Sequence, residues 1–549
     1  MKHIALIILW FSLLGLVSAQ NATCYRIYLS DKNNTPYSID NPSEYLSQRA
    51  IDKRVRFNIP VTEQDLPINP EYKQQILALH PQMQPLAVSK WMNTFTVYCP
   101  DSTVIPQIMN LPFVDSIMAV GAYILNDVIT AQIPEIQPSI VQNTLVPTKD
   151  SLDYGYGFGQ IAFHNGHLLH DAGFHGEGML IAVIDGGFYG IETISFFQEM
   201  VNDGRFYGHY SLMPDFVDTV ESGWSEVHGT IVTSTIAANT SGELIGTAPA
   251  ASYALIHTEW VGSEELVEED FWANGAEIAD SIGADVINSS LGYRSFPDFP
   301  QSDISYEDMD GVNSIASRCA TILGQKGVIV CVAAGNDGEN QYYYIGRPAD
   351  AFDILCVGAS AVDSIIAGFS SHGPSFDGRI KPDITSVGVN TYCYYPDNWL
   401  ATANGTSLAT PVATGLCACL WQAMPQYTAS EMMQIIRESS HLYNSPNPDF
   451  GYGIPDFYKA YTTHVGINDY KPLTLSVYPN PVTDKLYLTN LDGELQTISS
   501  YNAAGQLILQ HPVNGNALIE INVTSLPKGF YVGTATLNNH QIANFKFVK

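Results

Sequence analysis

Hydrophobic and polar positions divide the chain into stretches of different texture. Between residues 149 and 465, short unbroken apolar runs (MLIAVID, SYALIHT, ADVINSSLG, GVIVCVAAGN, DILCVGAS) alternate with helix-length segments (EEDFWANGAEIADSIG, GVNSIASRCATILGQKG, SEMMQIIRESS). Continuous apolar runs are strands covered on both faces, so the alternation predicts an α/β domain built on a doubly wound parallel sheet. Reactive groups in such sheets gather in loops beyond the carboxyl ends of the strands. Residues 20–148 instead mix strand-like runs (CYRIYLSD, NTFTVYCP) with a polar helical stretch (SEYLSQRAIDKRVRFN), the pattern of a separate α+β domain. They close on ITAQIPEIQPSIVQNTLVPTKD, whose Pro and Gln content reads as an exposed linker. From residue 466 to 549, short alternating runs (LTLSVYP, DKLYLTN, QLILQ, ALIEINV, GFYVGTATL, ANFKFVK) are separated by turn residues such as Asn480-Pro481, Asp492-Gly493 and Ala504-Gly505. That spacing predicts an all-β sandwich of about seven strands.

The first 19 residues form a unit of their own. Lys2 is followed by an apolar run from Ile4 to Val17 and by small residues at Val17-Ser18-Ala19, the layout of a secretory signal. The run is short for a bilayer span of about 20 residues, and no later stretch is longer and as apolar. Hydrophobic residues at 46% and charged residues at 14% supply a sizeable core and exclude a disordered chain. A net charge of −31 repels phosphate backbones and anionic lipid, which excludes nucleic acid as a partner and argues against membrane surfaces. The eight cysteines contain no CxxC pair, which argues against a structural zinc site. Cys24 and Cys99 lie on strand-like runs of one region, where export would permit a disulfide. Cys331, Cys356, Cys417 and Cys419 sit in apolar stretches as small core residues.

Three segments at the edges of the apolar runs carry candidate chemistry. Asp185 ends a run in IAVIDGGF, His228 precedes a Gly-Thr pair in EVHGTIVTSTIAAN, and Ser407 lies in the turn of ANGTSLATPVATG. Each has a bland counterpart: an ordinary Asp-Gly turn, a hydrogen-bonded structural histidine, and a helix N-cap. Their occurrence together changes the weighing, because Asp, His and Ser in that chain order, each beside a core element of one α/β domain, are the parts of a nucleophilic triad. Asn336, in VAAGNDG, also follows an apolar run and places an amide where it can meet a carbonyl oxygen.

The stretches IAVIDGGF, HGTIVTSTIAA, INSSLG, VAAGN, FSSHGPSFDGRIKPDI and NGTSLATPVATG resemble, in order, those of subtilisin-like serine proteases, the subtilases. The resemblance implies a secreted serine endopeptidase with Ser407 as nucleophile, His228 as base, Asp185 as its orienting anion and Asn336 as oxyanion donor. It further implies that Ser289, Ser290, Leu291 and Gly292 form an edge strand pairing with extended peptide substrates. Gly346, in Gly346-Arg347-Pro348, would then lie near the floor of the specificity pocket. The chain departs from the family at Gly186-Gly187 after the Asp and at Thr233-Ser234 after the His, both expected to alter local packing. Residues 20–148 resemble more loosely the propeptides of secreted subtilases, which act as intramolecular inhibitors. VYPNPVTDKLYL, YNAAGQLIL, SLPKGFYVGTATL and the final KFVK resemble the sorting domains read by the type IX secretion machinery of Bacteroidetes. Catalysis of this kind requires no cofactor; extracellular members of the family often bind calcium, but no Asp-rich loop here has a suitable ligand spacing. The competing expectation is a catalytically inactive relative that binds peptide without cutting it.

Overall fold

A computed structural model describes residues 23–122, 152–213, 226–260, 264–297, 299–465, 475–490, 495–502, 507–512, 518–537 and 542–549. The signal segment and the Pro/Gln-rich linker lie outside them. Two compact units are present, residues 1–463 and 464–549. In the first, strands β1 (Cys24–Leu29), β2 (Gln84–Ser89), β3 (Thr94–Tyr98) and β4 (Val114–Gly121) form an antiparallel sheet in the order β2-β3-β1-β4. Helices α1 (Gln48–Arg56) and α2 (Pro70–Leu77) complete the α+β domain. Ser47 caps α1 by accepting from the Ala50 N–H, as a Ser ahead of a helical run does. Cys24 and Cys99 are free and buried. The register pairs Cys24 with Tyr98, so Cys99, one residue on, points to the opposite face of the sheet and the disulfide does not form. The other cysteines are also free and buried, Cys331, Cys356, Cys417 and Cys419 in the core as expected.

Seven parallel strands form the centre of the peptidase region: β5 (Leu180–Asp185), β6 (Phe206–Ser211), β7 (Ser252–His257), β8 (Val286–Ser289), β9 (Ile329–Ala333), β10 (Leu355–Ser360) and β11 (Ile384–Val387). Their order is β11-β10-β9-β8-β5-β7-β6. Helices α3 (His228–Ala237), α4 (Glu268–Ile282), α5 (Ile315–Gln325) and α6 (Thr406–Ala423) cover the faces, and the side chains of alternate strand positions enter two separate apolar clusters. The sheet order brings β5, β8 and β9 together. Three neighbouring carboxyl ends therefore deliver Asp185, Ser289 and, three residues past β9, Asn336 to one edge.

Every residue of α4 is buried, including Glu268, Glu269, Asp270, Glu277 and Asp280, because the N-terminal domain packs on it. That domain supplies the cations and donors. Arg26 makes a two-point contact with Asp270 at 2.6 and 2.7 Å, Arg54 bridges Asp65 and Asp280 at 3.0 Å, and Lys326 returns to Asp65 at 2.8 Å. Glu277 accepts from Ser89 Oγ (2.6 Å) and from the N–H groups of Lys90 (2.8 Å) and Trp91 (3.0 Å). Arg49 pairs with Asp285, and Lys53 donates to the Ala284 carbonyl. Arg26→Ala leaves the buried Asp270 charge with only the Thr96 hydroxyl (2.7 Å) as side-chain donor, a loss of about 3–5 kcal/mol for a buried pair. The hold on the peptidase region is expected to weaken roughly a hundred- to several-thousand-fold. The dissociation constant of the N-terminal domain, measured after the linker is cut, checks this, and Arg26→Met with Asp270→Met should recover much of the loss.

The C-terminal unit has two antiparallel sheets. One contains β12 (Leu475–Tyr478), β13 (Lys485–Asn490) and β16 (Leu518–Asn522). The other contains β14 (Leu495–Asn502), β15 (Leu507–Pro512), β17 (Phe530–Leu537) and β18 (Ile542–Val548). Leu486, Leu488, Ile498, Ile519, Ile521, Phe545 and Phe547 bury the space between them. Asn480 of the Tyr-Pro-Asn-Pro motif accepts from the Val548 N–H at 2.9 Å and donates to the Lys546 carbonyl at 3.2 Å, which ties the motif to the last strand.

Candidate active site

Asp185 is the last residue of β5 and is fully buried. His228 is the first residue of α3, and its Nδ1 lies 2.6 Å from Asp185 Oδ1. Gly229 makes this approach feasible. Its N–H donates to the Gly187 carbonyl at 2.9 Å, and a Cβ there would stand only 2.4 Å from that oxygen. The imidazole side chain is 37% exposed, so one face meets solvent while its anion does not. Burial alone would lower the His228 pKa, but the charge and hydrogen bond of Asp185 outweigh it and hold the imidazole above its ordinary value.

Ser407 is the second residue of α6, whose first turns pack on α3: Leu408 shares an apolar cluster with Ile231, one turn beyond His228. It is not an N-cap. Gly405 occupies that position at φ +148°, and the Ser407 hydroxyl donates to the Ser290 carbonyl at 3.3 Å rather than to the imidazole. A reciprocal bond runs from Ser290 Oγ to the Ser407 carbonyl at 2.9 Å. Pro411 explains it: lacking an N–H, it cannot serve the carbonyl four residues earlier, and Ser290 supplies the missing donor. Ser290→Ala should therefore cost about 1 kcal/mol by removing the donor to that partly buried carbonyl. A lowered thermal midpoint together with slower substrate turnover is the expected result.

Asn336 Oδ1 accepts from the Thr406 N–H (2.9 Å) and from Thr406 Oγ1 (3.1 Å), and Thr406 Oγ1 accepts from the Gly335 N–H at 3.2 Å. Both acceptor directions of the amide are thus committed, and Nδ2 is left facing the Gly405-Ser407 turn. Ser289 ends β8, and Ser290, Leu291 and Gly292 continue from it. Gly346 joins them through its neighbour: Tyr293 and Arg347 exchange backbone hydrogen bonds at 2.8 and 3.1 Å. A Cβ at Gly346 would meet only the Tyr293 backbone, at 3.4 Å and beyond.

The two departures from the family pattern have visible consequences. Gly186 gives its N–H to Asp185 Oδ1 at 2.8 Å but has no side chain to offer, and Asp185 Oδ2 is buried without a donor. Ser234 accepts from the Tyr394 N–H at 2.8 Å, tying α3 to the hairpin Thr391–Ala403, whereas Thr233 Oγ1 is unpaired. Sequence reasoning missed Thr406 and two carboxyl groups nearby. Burial pushes Glu226, two residues before His228, up to about 7. Burial also drives Glu259 well above the usual carboxylate range, although the Tyr293 and Thr258 hydroxyls donate to it. In a chain with 55 acidic residues only burial distinguishes these two, and burial is not written in the residue type. Among the described residues no group of three or more His, Cys, Asp and Glu converges as metal ligands would, and no helix is long and apolar enough to cross a membrane.

Three parts of the chain match known families. Residues 176–454 match the Subtilase family, residues 24–132 the Peptidase S8 propeptide domain of Bacteroidota, and residues 476–549 the Secretion system C-terminal sorting domain. Subtilisin BL of Lederbergia lenta is 31% identical over 279 residues, covering 51% of this chain and 89% of its own. Serine protease AprX of Bacillus subtilis (strain 168) is 26% identical over 300 residues, covering 50% of this chain and 64% of its own. The crystal structure of MycP1 from the ESX-1 type VII secretion system covers 59% of this chain and 89% of its own at 19% identity, with a TM-score of 0.43. With the family match spanning half of the chain, and a propeptide and a sorting domain on either side of it, the chain belongs to the subtilases and is a serine endopeptidase made as a precursor for secretion.

Proposed function

We propose that Asp185, His228 and Ser407 are the catalytic triad and that peptide bonds are hydrolysed through an acyl-enzyme on Ser407. The observation that carries this reading is the His228–Asp185 hydrogen bond, made at the head of a helix that packs on the Ser407 helix. With Nδ1 engaged by Asp185, Nε2 is the basic nitrogen. Turning the Ser407 hydroxyl away from the Ser290 carbonyl presents its proton to Nε2, and Oγ attacks the scissile carbonyl carbon. The imidazolium then protonates the leaving amine, and a water activated by the same base releases the acyl group. Asn336 Nδ2 and the Ser407 N–H stabilise the oxyanion. Asn336→Leu should lower kcat by about 10²–10³ with little change in KM, the size measured for this donor in subtilisin itself. Steady-state kinetics on a peptide substrate give the split.

The substrate lies extended along Ser290–Gly292, just past the carboxyl end of β8, gaining affinity from main-chain pairing; Ser289 itself is paired on both sides within the sheet. Space above Gly346 supports a preference for large apolar side chains before the scissile bond, and a peptide library dominated there by charged residues would refute it. The domain at residues 20–148 serves as the enzyme's own inhibitor, and the type IX machinery exports the precursor to the outer surface or the medium. Fluorophosphonate labelling of exported, processed protein tests the central reading. Modification at Ser407 is expected; its absence favours a peptide-binding protein without activity.

A further inference from the structure

Residues 152–175, immediately past the linker, carry His164, His167, His170 and His175. Two short helices, Phe158–Ala162 and Gly166–Asp171, are separated by a turn at Asn165, which is left-handed (φ +55°) and donates to Asp456 Oδ2 at 2.8 Å. His164 and His170 point inward and are 0% and 2% exposed. His164 Nδ1 lies 2.9 Å from the Pro455 carbonyl, and its Nε2 lies 2.8 Å from Ser386 Oγ. His170 repeats the pattern, with Nε2 3.1 Å from the Thr247 carbonyl and Nδ1 3.0 Å from Tyr154 Oη. A carbonyl on one nitrogen and a hydroxyl on the other satisfy a neutral imidazole completely. These contacts fall on the elements that lead to Ser407. Ser386 is in β11, and two residues on, the Gly388 carbonyl accepts from the N–H of Gly405, the cap of α6, at 2.9 Å. Thr247 Oγ1 donates to the Pro411 carbonyl within α6 at 3.2 Å. Gln160 clamps the backbone of Tyr392, at the start of the hairpin that runs up to Ser407. It accepts from the Tyr392 N–H at 2.9 Å and donates to the Tyr392 carbonyl at 3.2 Å.

We propose that residues 152–175 are an acid-released strap, docked on the Ser407 side of the site by the neutral forms of His164 and His170. Protonated in place, each ring would be a buried cation with no carboxylate in hydrogen-bonding contact among the described residues. Asp456 is the charged group that faces His164, and Asn165 already holds it. Facing His170 are Tyr154, His167, His175, Glu177 and Cys419, whose Sγ is 3.8 Å from Nε2. Glu177 is the anion among them. Gln422 Nε2 (2.8 Å) and the His175 N–H (3.1 Å) donate to it, and His175 Nδ1 stands 3.3 Å away. Burial accordingly lowers both imidazoles from 6.5 to about 4. Undocked rings take up protons near pH 6.5, whereas docked rings resist until about 4. The strap therefore holds fully above the first value and loosens as pH falls toward the second. Each proton weakens docking by up to about tenfold per pH unit, and the two together by up to about a hundredfold. His228 has the opposite shift, so its protonation stops activity at higher pH and leaves the strap in place. The inference goes beyond the triad and rests on the Ser407 reading only where activity is the readout.

Hydrogen exchange read by mass spectrometry tests the strap directly, on exported, processed enzyme blocked with a fluorophosphonate to prevent self-digestion. After correction for intrinsic rates, amides of residues 158–171 should exchange about tenfold faster or more at about pH 5 than at about pH 7.5, while those of β9 keep their protection. Unchanged protection of 158–171 overturns the proposal. So does loosening confined to 252–260, which would assign the acid response to His257, a third imidazole that burial lowers to about 4. Activity gives the second readout. Enzyme returned from about pH 5 to about pH 8 should recover with a lag while the strap redocks, whereas loss of the His228 proton alone is complete on mixing. In His164→Gln/His170→Gln, amides offer a donor and an acceptor in place of each ring but do not titrate. That variant should keep its activity at about pH 8 and lose both the lag and the pH-dependent exchange. A double variant that lags and exchanges like the parent overturns the proposal. If the parent neither cleaves peptide nor takes the label, the Ser407 reading fails alone, and exchange of the unlabelled protein still decides the strap.

Discussion

Ser407→Ala is expected to lower kcat on a peptide substrate on the order of 10⁶-fold, the size measured when subtilisin loses its nucleophile. Ser290 lies beside Ser407, but its Oγ is committed to the carbonyl that Pro411 leaves unserved. The residual rate should be that of the oxyanion donors and substrate binding alone, and His228→Ala should sit close to it, since nucleophile and base act as one unit. The same variant tests maturation. If the enzyme cuts its own precursor, Ser407→Ala remains joined to residues 20–148, and its N-terminus after export begins near Gln20. A start between about 120 and 155 in the inactive variant would mean that another protease does the cutting.

Much of the proposed site was legible because its residues stand in short segments at strand ends. IAVID closes a buried strand, and HGT begins a helix whose glycine is required because a Cβ there would stand only 2.4 Å from the Gly187 carbonyl oxygen. What such segments could not show is which donor serves which acceptor. Ser407 in a Gly-Thr-Ser turn reads as a cap, yet Gly405 takes that position. Thr406, unremarked in the sequence, fixes the orientation of the Asn336 amide.

The sheet was less legible at its edges than at its centre. The five apolar runs became β5, β7, β8, β9 and β10, but β6 and β11 passed unnoticed. FYGHYS is only half-buried and contains Gly208, as an edge strand permits, and ITSV is four residues long. Long-range burial was not legible at all. Glu-Glu-Asp at the start of α4 has the look of a solvated first turn, favourable at a helix N-terminus. It is buried because a sheet from residues 24–121, far upstream, lies across it and brings Arg26 to Asp270. The Cys24–Cys99 pairing failed for a related reason: neighbouring strands are not enough, and a register odd by one residue sends the two thiols to opposite faces.

Asp185→Asn should lower kcat by about 3 × 10⁴, the subtilisin value, and should also move the pH profile in a direction no packing defect would imitate. In the parent, the Asp185 charge and hydrogen bond more than cancel the effect of burial, so the His228 pKa is raised above about 6.5. In the proposed mechanism only neutral imidazole takes the Ser407 proton, so kcat/KM should fall as pH drops through that raised value. With Asn at 185 the charge is gone and burial alone remains, so the acid limb should shift below the ordinary imidazole value. Stability carries the opposite sign. A raised folded pKa means that the imidazolium–Asp185 pair stabilises the fold fully below the unfolded pKa. The contribution is lost as pH rises through the folded one. Activity and this increment of stability therefore change in opposite directions over one window, and removing the carboxylate should abolish the increment while displacing the limb. A kcat/KM profile and urea midpoints over about pH 4 to 9 measure both. An acid limb left in place by Asp185→Asn would show that another anion holds the imidazole. Glu226, with its carboxyl at about 7 and two residues away in the chain, would then be the group to replace next.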